Sequence, residues 1–126
     1  MKKVMIHEFD PVIYPYKLWV VVDKKPNIIS EMFNEYDGEE IKSWDNTSNL
    51  DAFAMPVRKK DNSRFGCIIY FTSKKSMTYN IVSHESSHAA KYLFSHIGSD
   101  ITEHEPFEYL LGWMAECCEK VLKGIN

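Results

Sequence analysis

The sequence predicts an α+β fold in a single domain spanning residues 1–126, with strands early in the chain and two consecutive helices at its end. Three observations predict it. The chain has 126 residues, 44% of them hydrophobic and 26% charged, which is enough for one buried core, too short for two ordinary domains and too apolar for disorder. Short β-branched and aromatic runs occupy the first two thirds. A 3.6-residue period takes over from about residue 77.

In chain order, Tyr14 to Asp23 is aromatic and β-branched, so residues 17 to 23 read as a buried strand. Pro26 then starts a helix on which Ile28, Ile29, Met32, Phe33 and Tyr36 recur at helical spacing, with Gly38 as its C-terminal cap. Residues 39 to 52 are polar and aperiodic and read as a loop. Two apolar runs, residues 53 to 58 and 65 to 72, flank a polar stretch and predict an antiparallel hairpin. A helix follows from Met77 to Ile97 with Gly98 as its stop. A second begins near Thr102 to Pro106 and runs to Lys123, ended by Gly124.

Composition removes several classes of function. A net charge of −3 leaves no excess of positive charge for a phosphate backbone, so nucleic acid is not an expected partner. The basic stretch Arg58-Lys59-Lys60 with Arg64 reads as a solvated hairpin tip. Met1 to Ile6 imitates a signal peptide, but His7, Glu8 and Asp10 cut the apolar run short, and no later run approaches a membrane span. Cys67 and the adjacent pair Cys117 and Cys118 form neither a disulfide framework nor paired C-x-x-C spacing, which fits a reducing, cytoplasmic setting.

The chemistry is concentrated in His84-Glu85-Ser86-Ser87-His88, an H-E-x-x-H pattern. Residues four apart share one face of a helix, so two imidazoles can take two positions on a tetrahedral zinc ion. Glu85, rotated about 100° from His84, lies beside the metal, where it can act as a base toward an attacking water. The helix projection puts Val82, Ala89, Leu93 and Ile97 in one apolar stripe, with His84 and His88 roughly opposite beside Met77 and Ile81. That placement weakens a reading as core histidines, and a surface pair without metal gives the same projection.

A hydrolytic zinc site needs a third protein ligand and an open position. Lys91 and Phe94 stand where a metzincin has its glycine and third histidine, and His96 lies more than two turns beyond His88, as a surface residue. The last helix has an apolar stripe of Phe107, Leu110, Leu111, Met114, Cys118, Val121 and Ile125, with Glu105, Tyr109, Gly112 and Glu116 on its far side. Glu105 is the expected third ligand, with Glu108 and His104 as alternatives. Thr102-x-x-Glu105 is also a capping-box pattern. Tyr109 is a candidate donor to the oxyanion formed during attack, or an aromatic packed beside Trp113.

These residues resemble the zincin metallopeptidases, specifically the gluzincin branch, in which the H-E-x-x-H helix is followed by a helix bearing a glutamate ligand. His84 to His88 followed by Glu105-Pro106-Phe107-Glu108-Tyr109-Leu110-Leu111-Gly112 looks closest to small metallopeptidases encoded by phages and prophages. The match covers about the last third of the chain. The resemblance implies a minimal zincin: a small twisted, mostly antiparallel sheet, an active-site helix, a following C-terminal helix, and an edge strand, residues 65 to 72, that holds an extended peptide. The chain departs from larger gluzincins in its short His88–Glu105 interval and in lacking an acidic residue four positions after Glu105. Asp100 or Glu116 would then orient a ligand histidine.

The expected function is hydrolysis of a peptide or protein substrate, with His84, His88 and Glu105 holding zinc and Glu85 as base. Two alternatives remain open: a non-catalytic binding module of phage or prophage origin stapled by zinc, and a metal-free domain in which the pattern is coincidental. Substrate identity and oligomeric state are not encoded in any motif.

Overall fold

A computed structural model describes residues 5–44 and 50–124. Met1 to Val4, residues 45–49 of the expected loop and Ile125 of the expected helical stripe lie outside the described residues. The order is β1 (Met5–Phe9), β2 (Lys17–Val22), α1 (Asn27–Met32), β3 (Phe33–Glu35), β4 (Ala52–Lys59), β5 (Phe65–Phe71), a 3-10 turn at Lys74–Ser76, α2 (Tyr79–Ile97) and α3 (His104–Lys123). This is the expected α+β architecture. The strands form one sheet in the order β1-β2-β5-β4-β3, in which β2 and β5 are parallel and the other pairs antiparallel.

The uninterrupted apolar runs Leu18 to Val22 and Cys67 to Phe71 become the two central strands, because burial on both faces leaves no place for an alternating polar residue. Leu18, Val20, Val22, Cys67, Ile69 and Phe71 face the core built with α2 and α3. Trp19, Val21, Ile68 and Tyr70 face a smaller core closed by Ile29, Phe33 and Val57, with Trp44 and Phe53 packed against it. The expected strand at 17–23 and the expected hairpin are both present. Residues 65–72, however, are not an edge: β5 is hydrogen-bonded between β2 and β4, and the edges are β1 and β3. Continuous burial along β5 was the signal of a central strand.

One strand was not expected: Met5 to Phe9 form β1 and pair antiparallel with β2. One further expectation is corrected. The helix after Pro26 ends at Met32, where Phe33 turns extended (φ −132, ψ 153) and pairs with Lys59. Pairing with β4 overrides the weak propensity of so short a helix. Gly38 accordingly sits not at a helix end but in the turn after β3, its N–H donating to the Glu35 carbonyl at 2.8 Å.

The helices end as expected. Thr78 caps α2 by accepting from the Ile81 N–H at 3.2 Å. Gly98 follows it at φ 74, a left-handed conformation glycine adopts without a Cβ penalty, and Gly124 does the same for α3. α2 and α3 pack together as an antiparallel pair on one face of the sheet, joined through residues 98–103, with Phe94 edge-on to Phe107 at 5.4 Å. No described helix is long and apolar enough to cross a membrane.

Candidate metal centre

The face that α2 presents to the core fixes where its polar residues go. Ala89, Ala90, Leu93 and Phe94 are buried against the sheet and α3. His84 and His88, on the adjoining flank, stay exposed, while Glu85 between them is buried to 8% exposure. The two imidazole rings are 4.8 Å apart and nearly perpendicular, and their Nε2 atoms approach to 3.3 Å. Without a metal this is a long hydrogen bond between the two rings, the donor set by the tautomer. The separation matches the edge of a tetrahedron, since two Zn–N bonds of 2.0–2.1 Å at the tetrahedral angle set the nitrogens about 3.3 Å apart. A ligand atom from each of His84, Glu85 and His88 lies within 4.8 Å of the others, and this group can hold a metal ion.

Burial raises the Glu85 carboxyl above its ordinary range, and the neighbouring His84 and His88 pull it partly back. A carboxylate so placed is a stronger base than an exposed one.

The other expected site residues are not brought to this group. Glu105, the expected third ligand, is exposed at the start of α3 and lies outside the cluster, as do the alternatives His104 and Glu108. The reason is the antiparallel packing. Phe107 meets Phe94, six residues beyond His88 or about 9 Å along α2, so the start of α3 lies level with the wrong end of the motif helix. Glu105 also sits on the face of α3 opposite its buried stripe of Phe107, Leu110, Met114, Cys118 and Val121. Nor does it close a capping box, because the N-cap is Glu103 and no side chain bonds there. Tyr109 is 75% exposed and lines a groove with Pro11, Ile13, Tyr14 and Trp113. Asp100 accepts the Thr102 N–H at 2.9 Å, and Glu116 lines a groove beside Thr78 and Ser83.

Two residues had roles that the motif search missed. His96, expected at the surface, is half-buried: its ring is 4.9 Å from both Tyr16 and Phe65, and its Nδ1 is 2.6 Å from the Tyr36 hydroxyl. Burial lowers its pKa. Tyr92 stacks on His88, the rings 6.4 Å apart and inclined by 21°. Its signal was present in the sequence as the i+4 spacing from His88.

No family model, curated protein or solved structure matches the chain. The site is therefore defined by its own geometry.

Proposed function

We propose that the protein is a zinc-dependent metallopeptidase in which His84 and His88 hold the metal and Glu85 is the general base. The observation that carries this reading is the 3.3 Å Nε2 separation with a buried carboxylate alongside. Two exposed imidazoles with a nearby carboxylate suit zinc, which takes nitrogen ligands and leaves open positions in hydrolytic sites. When bound, the metal lowers the pKa of water and polarises a carbonyl. Glu85 accepts the proton of the attacking water as the C–O bond forms. It then passes that proton to the amide nitrogen as the C–N bond breaks, leaving a carboxylate and an amine.

The sheet supports a peptide substrate. Among the described residues β3 pairs only with Val57 to Lys59, so the outer edge of β4 from Ala52 to Pro56 pairs with no strand there. α2 packs against this part of the sheet, and Pro56 occupies the kind of edge position that tolerates a missing N–H. An extended peptide adding to that edge would lie along α2.

Glu85→Gln tests the proposal. The variant should keep the parent's zinc content and lose roughly 10²–10⁴-fold in peptide cleavage, the usual span for a general base. Equal cleavage by parent and variant would remove Glu85 from the mechanism. One observation favours a second reading: both imidazoles are exposed and no α3 carboxylate joins them, so a donor from a partner protein could complete the metal shell. A parent that takes up zinc yet cleaves nothing in a broad peptide mixture supports that metal-stapled module instead.

A further inference from the structure

Zinc hydrolysis generates an oxyanion on the attacked carbonyl carbon, and a hydrogen-bond donor fixed beside the metal accelerates the reaction only if it is in place before charge develops. Tyr109 cannot serve from the groove beside Pro11 and Ile13. Tyr79, at the start of α2, is 94% exposed, so its ring is not fixed by packing among the described residues.

Tyr92 differs from both. It lies one turn after His88 on the same flank of α2, and its ring stacks on the His88 imidazole. Helical side chains lean toward the N-terminus, so a tyrosine at this position carries its hydroxyl back toward the turn that bears His88 and Glu85. The side chain is half-buried, and no hydrogen bond to its hydroxyl is found among the described residues. Its hydroxyl is also not among the atoms that are sealed from solvent without a partner. A phenol that is held by packing, open to solvent and uncommitted to any acceptor is prepared for a ligand.

We propose that Tyr92 is a catalytic residue whose O–H donates to the oxyanion of the substrate. The inference rests on the metallopeptidase reading above and assigns a residue that the H-E-x-x-H pattern does not contain. Two roles must be separated: donation by the hydroxyl, and simple support of the His88 ring by the aromatic face. Tyr92→Phe removes the first and keeps the second, whereas Tyr92→Leu removes both.

The test uses zinc-loaded full-length protein and acetohydroxamate, a probe that presents an oxyanion to zinc and needs no turnover. Tyr92→Phe should bind zinc like the parent and bind acetohydroxamate about tenfold or more weakly, the loss expected for a hydrogen bond to a charged group. Tyr79→Phe should match the parent in both. If Tyr92→Phe binds acetohydroxamate as the parent does, the proposal is overturned, and zinc loss in Tyr92→Leu alone would then make the ring a support for His88. Zinc loss in Tyr92→Phe itself would overturn it equally. A parent that takes up no zinc fails earlier, at the metal reading on which this inference stands.

Discussion

At the residue scale, Glu85 is the base of the proposed reaction, and its burial imposes a cost on the fold. Burial raises its pKa more than His84 and His88 lower it, so the folded chain holds this proton more tightly than the unfolded chain does. The stability so contributed is present at low pH and is lost as pH rises from the ordinary carboxylate range through the raised value. Metal-free Glu85→Gln should therefore melt above the parent at pH 8, by roughly 3 °C, with the difference closing toward pH 4. Thermal unfolding at the two pH values checks this, and an equal difference at both would show that Glu85 is not held in a desolvated state. The histidine pair and this glutamate were legible because one helical turn relates them. Glu105 was not. Periodicity put it on the far side of α3, but which neighbour that side meets depends on how two helices pack, and no residue spacing records that.

At the scale of elements, the central strands were the most legible. Leu18 to Val22 and Cys67 to Phe71 contain no polar residue to assign to a solvent face, and they lie at the centre of the sheet. Assigning β5 to an edge came from the resemblance rather than from the residues. The α1–β3 junction was hidden because Phe33 fits a helical stripe as well as it fits the second core. Gly66 shows how closely β2 and β5 approach. A Cβ at this position would collide with the Lys17 carbonyl oxygen and the Trp19 ring, neither of which can move without disturbing a core strand. Gly66→Ala should lower stability by about 3 kcal/mol. It would be read as a lower urea midpoint with unchanged slope, and an unchanged midpoint would mean that the two strands separate more easily than this packing implies.

At the scale of the whole molecule, one sheet presents α2 and α3 on one face and α1 with the smaller core on the other. The α2–α3 hairpin buries Leu93, Phe94, Phe107 and Met114, and in doing so sets the level at which α3 passes the histidines. The group that can hold a metal ion is therefore carried by α2 alone among the described helices. The most direct test is the zinc content of purified protein after zinc addition and dialysis, measured by mass spectrometry for the parent and for His84→Ala, His88→Ala and Glu105→Ala. The account predicts about one zinc per chain in the parent and in Glu105→Ala, and far less in either histidine variant. A parent without zinc, or a histidine variant that retains a full equivalent, would contradict it.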